Sequence, residues 1–384
     1  MKKKTELVIL ALAIAATLLF LTGGISEDVK EVSDLELVSV IGIDKDGENV
    51  VLTTSAALDG DLERIVISGT EKESLLEAIS DLCHSASVRE PFFAHVENLI
   101  IGEDAARDEN GVAPYIDYIT RNLSIRLDAN VYIVKGGTAR DFIAKTVEKN
   151  VSISGMLGYI QKDVNMSTEG QVYTCGDVAV SLIEGTPVLL QAIEIKPEEE
   201  MLENSEEVIS PMGFAVVKDG ILVDFTGEDV TKGICILRGV AESEVVSVYL
   251  DGAMVSMDLK NIKADIEPVF SGDELKKIKI KLSFNGSIEQ ITGKLDVGQE
   301  EVLKALTDEI EKREAEKVAA AINSAKKAEM DYVGLYKILR TSHPLKFNMT
   351  EDQWNEIFKD VQISISAEAK IERAYDIINV TGKG

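Results

Sequence analysis

The sequence predicts a multi-domain protein of mixed α/β and α+β class, in which mixed and antiparallel sheets are packed by helices. Strand-like and helix-like segments alternate over the first half of the chain, a pattern typical of α/β units. In the second half a series of strands precedes one long amphipathic helix, a pattern typical of α+β units. A chain of 384 residues also exceeds what one hydrophobic core usually holds, so we expect two or three domains.

Hydrophobic periodicity predicts the elements of the first half. Residues 37–43 and 50–57 are typical of a hairpin around the turn Asp44-Lys45-Asp46-Gly47. The Asp-x-Asp-Gly cluster is also reminiscent of a calcium loop, but the later acidic ligands are missing, which favours a turn. Further elements are predicted as helices at 73–85, from Pro114 and at 138–147 behind a capping Thr138, and as strands at 95–102 and 130–134.

The second half begins with another predicted hairpin, in which Lys218-Asp219-Gly220 joins residues 213–217 to 221–225. The apolar stripe of residues 295–331 predicts a long helix that needs a sheet to cover it. Shorter helices follow around Leu335 and Trp354, and helical spacing places Trp354 in the core. Alternating side chains predict strands at 245–250, 253–259, 260–269, 277–284 and 361–371.

An acidic stretch separates the two halves, because six Glu occur within the fifteen residues 196–210. Like charges at this density resist packing, so the stretch is predicted to be a linker or an exposed loop. The predicted organisation is an export signal or membrane anchor (1–24), an N-terminal α/β domain (25–196), an acidic linker or loop (197–210), a β-rich middle domain (211–265) and a C-terminal α+β domain (266–384).

The first twenty-four residues have the organisation of an export signal: three lysines, an apolar run at 7–21 and a small-residue exit. The apolar run would rise about 22 Å as a helix, and about 28 Å if extended through Ile25, against a hydrocarbon core of about 30 Å. Leu21-Thr22-Gly23 matches the start of a lipoprotein signal, but Gly24 stands where the lipidated Cys would be. We therefore assign no lipidation residue. Cleavage after Gly23 or Gly24, retention as an anchor, and descent from an altered lipoprotein signal all stay open.

Charge and cysteine content exclude some classes of protein. The net charge of −27 repels nucleic acid and anionic headgroups, so no nucleic-acid partner is expected. The three cysteines, Cys83, Cys175 and Cys235, are odd in number and widely spaced, which predicts buried free thiols rather than a disulfide framework.

No recognised catalytic or cofactor motif occurs in the sequence. Cys83-His84 and His95 lack a second ligand pair at zinc spacing, and neither a nucleophile elbow nor a phosphate-binding glycine loop is present. Carboxylates are too numerous to single out a pair, which leaves a glycosidase formally open. Arg126 and Asp128 predict only a local ion pair. We predict that the protein is not an enzyme, assign no catalytic, cofactor-binding or metal residues, and leave ligand-binding residues unknown.

Several segments have a recognisable order along the chain. They are Leu21-Thr22-Gly23, residues 40–47, 93–102, 124–131 and 213–220, the long helix, residues 331–339, and Trp354. This order resembles that of the Ger(x)C, or GerAC-type, family of spore germination proteins, the C subunits of nutrient germinant receptors. Each segment is weak alone, but their order and spacing are fairly specific and cover nearly the whole chain. Gly24 stands where the family has its lipidated Cys. This difference bears on how the chain is attached to the membrane and not on its fold.

The resemblance implies a three-domain ectodomain, with no catalytic residues to carry over, on the outer face of the spore inner membrane. It implies that this subunit works there with a membrane-bound A-type subunit and a transporter-like B-type subunit in sensing nutrients. We therefore predict a non-catalytic, membrane-associated, extracytoplasmic receptor subunit without a cofactor. Two alternatives stay open: a solute-binding protein that delivers a small ligand to a membrane transporter, and an exported cell-wall hydrolase.

Overall fold

Two sheets, each covered by helices, make up the part of the chain that the structure describes. The computed structural model describes residues 35–58, 62–85, 90–122, 124–148, 152–164, 167–196 and 209–373, together with Thr17. The predicted mixed α/β and α+β class is confirmed. The leader apart from Thr17, including Gly24, lies outside the described residues, as does most of the acidic linker.

The first sheet combines a parallel centre with antiparallel margins. Its strands are β1 (Leu35–Asp46), β2 (Asn49–Leu58), β3 (Leu62–Lys72), β4 (Glu90–Phe92), β5 (Asn98–Ile101), β6 (Asn130–Val134), β7 (Tyr173–Thr174), β8 (Val188–Ile195), β9 (Ile209–Lys218) and β10 (Ile221–Phe225). The order is β10-β9-β8-β6-β5-β1-β2-β3, with β4 beside β1 and β7 beside β6. Strands β1, β5, β6 and β8 run parallel, and β5 is buried along its whole length, as expected of a parallel strand covered on both faces.

Helices cover both faces of this sheet. They are α1 (Leu75–Ser85), α2 (Glu103–Arg107), α3 (Ala113–Arg121), α4 (Ala139–Glu148), α5 (Ile153–Val164) and α6 (Cys175–Glu184). Successive residues of a strand point to opposite faces. Val40 of β1 accordingly packs with α4 and α5, whereas Ile41 packs with the other helices.

The second sheet is built from β11 (Ser243–Leu250), β12 (Ala253–Ser271), β13 (Glu274–Thr292) and β14 (Gln362–Arg373), in that order. Its first three strands are antiparallel, and β14 runs parallel to β13. Four helices accompany it: α7 (Glu228–Arg238), α8 (Glu300–Lys327), α9 (Leu335–Ser342) and α10 (Glu351–Phe358).

The long helix α8 is tied to both edge strands of the second sheet. Arg313 Nη1 donates to the carbonyl oxygen of Ser247 in β11 at 2.6 Å. On the other side, the amide of Ala369 in β14 donates to Glu311 Oε1 at 2.8 Å. Side chains of one helix therefore hydrogen-bond to backbone groups at both edges of the sheet. Unpaired backbone groups at an edge could otherwise pair with a strand of another chain.

Helix α7 connects the two sheets. Its Ile234 and Cys235 share one core with Phe214 of the first sheet and Ile278 of the second. A Cβ at Gly233 would lie 2.2 Å from the backbone oxygen of Lys317, so only glycine permits this approach of α7 to α8.

Most predicted elements are confirmed with shifted ends, and a few are wrong. Both hairpins, the strand at 130–134 and the alternating strand around 277–284 are present. The strand predicted from residue 95 begins at 98, after a short 3₁₀ helix. The strands predicted at 253–259 and 260–269 are one strand, β12, which continues through an irregularity between Lys260 and Lys263. Helix α8 is shorter than the predicted 295–331.

The predicted middle segment, 211–265, contributes strands to both sheets, since β9 and β10 pair within the first and β11 and β12 within the second. The domain boundaries stay a prediction. Each helix in the described part of the chain is too short or too polar to cross a bilayer.

Candidate functional site

A cleft with a volume of about 470 Å³ lies between the first sheet and the helices that follow α8. One wall comes from the end of α6 and the start of β8. The opposite wall comes from residues 329–338 and from α10. Apolar and polar side chains both line it, among them Tyr173, Val188, Arg238, Val240, Ile338 and Trp354. A concave site between structural units, mostly apolar with a few polar groups, is the usual form of a small-molecule site.

Arg238, the last residue of α7, bridges the two walls. Its Nη1 donates to the hydroxyl of Tyr173 on the first-sheet side. Its Nη2 donates to the carbonyl oxygen of Tyr332 at 2.8 Å and its Nε to that of Val333 at 3.3 Å. Within the described residues these acceptors are all neutral. A guanidinium carries five N–H groups, so two of them are left without an acceptor there.

Asp331 holds the opposite wall in place. Its Oδ1 accepts the amide protons of Gly334 and Leu335 at 2.9 and 3.0 Å. Its Oδ2 accepts from the Tyr336 amide at 2.7 Å and from Trp354 Nε1 at 2.8 Å. The carboxylate thus caps α9 and anchors α10 together. Burial raises the pKa of Asp331 to about 6, although all four N–H groups act to lower it.

A buried cluster of charges lies where α7, α8 and β11 meet. Lys317 Nζ donates to Glu314 Oε1 at 2.6 Å and to Glu244 Oε1 at 2.8 Å. Lys232 Nζ lies 3.2 Å from the same oxygen of Glu244 and 2.7 Å from Glu228 Oε1. Burial, followed by the negative charge of Glu244, raises the pKa of Glu314 despite the attraction of Lys317. The cluster joins α7 to α8 by charge as well as by packing.

Of the described side chains weighed from the sequence as catalytic, metal-binding or core candidates, only Trp354 lines this cleft. Trp354 is fully buried in the core, as predicted, and it belongs to the wall of the cleft. Arg126 and Asp128 form the predicted local ion pair, with Nε and Oδ1 2.7 Å apart. The three histidines do not meet. His84 Nδ1 lies 2.5 Å from the Ser80 carbonyl oxygen, His95 lies near Glu97, and His343 Nε2 lies 2.9 Å from the Ile266 carbonyl oxygen.

The cysteine prediction is partly wrong. Cys175 and Cys235 are buried free thiols as expected, and burial raises the pKa of each to about 12. Cys83, near the end of α1, is exposed. That the protein has no metal-binding residues stays a prediction. The sequence assigns no ligand-binding residues, so there is no such assignment to compare with the structure.

Sequence reasoning missed Arg238 and Asp331 as site residues. Arg238 is separated from Tyr173 by 65 positions, and no local signal connects them. Asp331 stood within the predicted long helix, but an Asp just before the apolar positions of α9 is a helix-start signal that could have identified it.

Two pairs of exposed apolar residues stand out on the surface. Val180 and Ile183 are three positions apart on α6, and Val245 and Tyr249 share one face of β11. Single exposed apolar side chains are normal, but paired ones on one face supply the apolar area that protein contacts use.

Comparisons with known proteins identify the family. Residues 28–192 match the family model described as the spore germination protein N-terminal domain, and residues 212–375 match the model described as spore germination B3/GerAC like, C-terminal. The chain is 22% identical to spore germination protein KC of Bacillus subtilis over 90% of its own length and 91% of the relative's. It is 21% identical to spore germination protein B3 of the same organism, over 90% and 92% of the two lengths.

A solved structure, titled as the crystal structure of the GerBC protein, shares the fold. The TM-score is 0.54 at 18% identity, and the match covers 86% of this chain and 96% of the other. The order of motifs, the two-sheet architecture and the two successive family matches agree. The chain belongs to the GerAC-type family of spore germination proteins.

Proposed function

We propose that the protein is the non-catalytic C subunit of a membrane germinant receptor, required for nutrient-triggered spore germination. The observation that carries this proposal is the pair of family matches, which follow one another over residues 28–192 and 212–375. Relatives named as spore germination proteins also align over nine-tenths of the chain. The role requires no catalytic residue, and the proposal assigns none.

The proposed position is the outer face of the spore inner membrane. The support is the leader, whose lysines and apolar run have the organisation of an export signal. The proposed partners are an A-type and a B-type membrane subunit. Apolar contact surface for them is available at Val180 and Ile183 of α6 and at Val245 and Tyr249 of β11.

Deletion of the gene in the spore-forming bacterium that encodes it tests this role. We expect the spores to lose their response to at least one nutrient, measured as the fall in optical density during germination. The full-length gene should restore the response, whereas a version without residues 1–24 should not, since the leader delivers the protein across the membrane. A deletion strain that germinates normally with every nutrient tested would contradict the proposal.

A further inference from the structure

We propose that the cleft between the first sheet and the helices that follow α8 binds a small organic carboxylate with an apolar body, and that Arg238 receives its carboxylate group. The inference depends on the geometry of the cleft and not on the proposed receptor role. It assigns a ligand class and a binding residue to a site whose ligand the sequence left unknown.

The first support is the state of the Arg238 guanidinium. The side chain is half-buried, and its three acceptors among the described residues are a phenol hydroxyl and two backbone carbonyls. Neutral acceptors orient a guanidinium but leave its charge uncompensated. Arginine pairs preferentially with carboxylates through two parallel N–H···O bonds, and two of the five N–H groups of Arg238 are available for them.

The second support is how the guanidinium is held. Tyr173 lines the cleft, and its hydroxyl donates to Gln171 Oε1 at 2.6 Å while it accepts from Arg238. On the other side, the carbonyls of residues 332 and 333 fix the opposite edge of the planar group. A preorganised guanidinium loses little side-chain entropy when an anion binds, and this raises affinity.

The third support is the composition of the walls. Val188, Val240, Met330 and Ile338 line the cleft with apolar surface, and Trp354 belongs to the same wall. A volume of about 470 Å³ falls in the range of small-molecule sites, about 300–1,000 Å³. Each CH₂ group that a ligand buries against such walls should strengthen binding, so a longer apolar body should bind more tightly.

The carboxylates of the cleft's own acidic residues do not neutralise Arg238 in place of the proposed ligand. Asp331 is already engaged by four N–H groups. Glu329 lies 3.8 Å from the ammonium of Lys359 and is directed to that partner. Glu184 is exposed at the rim, and Glu351 of α10 forms no ion pair with Arg238 within the described residues. Lys218 and Lys337 also line the cleft and add positive charge near its opening.

The test uses the full-length chain in a non-ionic detergent and titrates it with acetate, butanoate and 4-methylpentanoate. The matched neutral probe is 4-methylpentanamide, which has the same body without the charge. Trp354 is the single tryptophan of the chain and lines the cleft, so its fluorescence reports binding there directly. Thermal unfolding gives a second readout, because a ligand that binds the native state raises the melting temperature.

We expect a saturable fluorescence change whose dissociation constant falls from acetate to 4-methylpentanoate, and at least tenfold weaker binding of the amide. Arg238→Gln should weaken binding of 4-methylpentanoate at least tenfold, and Arg238→Lys, which keeps the charge but loses the fork, should also weaken it. Arg121→Gln, a change at an exposed ion pair on α3, is the matched control and should bind like the wild type.

Three results would overturn the inference. They are the absence of a saturable response to any of the carboxylates, equal binding of the acid and its amide, and unchanged binding in both Arg238 variants. The comparison of acid with amide uses the wild-type chain, so the inference stays open to refutation even if an Arg238 variant fails to fold.

Discussion

Replacement of Lys317 by Met should destabilise the protein strongly, because Lys317 is the ammonium that two buried carboxylates share. Its side chain is 4% exposed, and those of Glu314 and Glu244 are 0% and 4% exposed. The change removes two charge-assisted hydrogen bonds. Glu244 keeps Lys232 as a partner, but Glu314 is left without a lysine. Breaking a buried pair costs about 3–5 kcal/mol, and we expect a loss of unfolding free energy of that size.

The same helix supplies a matched control. Lys304 and Asp308 of α8 are also 2.6 Å apart, but their side chains are 74% and 58% exposed. Lys304→Met should therefore change the free energy of unfolding very little. Urea unfolding of the two variants, followed by circular dichroism, measures both values. Equal and small losses would refute the assignment of a buried ion cluster.

The loss of unfolding free energy caused by Lys317→Met should also depend on pH and on the presence of Glu314. Because burial raises the pKa of Glu314, a proton returns to it as the pH falls, and the unpaired charge disappears. The penalty of Lys317→Met should therefore be smaller at pH 5 than at pH 8. The double variant Lys317→Met/Glu314→Leu should recover much of the loss, since well-packed apolar residues can replace a buried ion pair at little cost. A double variant less stable than the single one would contradict this reasoning.

The remaining predictions concern packing, a carboxylate and the thiols. Gly233→Ala should lower the melting temperature markedly, because its Cβ would meet the backbone of α8, whereas Gly158→Ala, with open space around it, should raise stability by about 0.5–1 kcal/mol. Since burial raises the pKa of Asp331 to about 6, its contribution to stability is complete below about pH 4 and is lost as the pH rises through 6. The free energy of unfolding of the wild type relative to Asp331→Asn should accordingly fall by up to ~3 kcal/mol over that interval in urea titrations, and a constant difference would contradict it. A thiol reagent at pH 7.5 should label Cys83 in the native protein, and only unfolding should expose the two buried thiols, Cys175 and Cys235; rapid native labelling of all three would count against the fold.

Local patterns were enough to predict many elements. The alternation of Ile278, Ile280 and Leu282 with lysines gave the buried and exposed faces of β13 correctly. Thr138 caps α4 as predicted, since the Asp141 amide donates to its Oγ1 at 2.9 Å. Helix α5 was overlooked although its apolar residues recur at helical spacing, so a signal for it was present in the sequence.

Long-range contacts were beyond the reach of such patterns. The sequence predicts a turn at Asp44, but this residue belongs to β1. Its carboxylate accepts the amides of Ala139 and Arg140 at 2.6 and 2.8 Å, and so caps α4 from 95 positions away. The pairing of Glu244 with Lys317 spans 73 positions in the same way. Such groups are brought together only when the sheets and helices pack. The cleft at Arg238, whose walls come from the first sheet and from the helices after α8, was therefore not predictable from the sequence.

Affinity purification of the tagged full-length chain from detergent-solubilised membranes of dormant spores tests the proposed role most directly. Mass spectrometry of the eluate should detect an A-type and a B-type receptor subunit, both enriched over an untagged strain. Recovery of the chain alone from that membrane extract, or its presence only in the cytosolic fraction, would contradict the account.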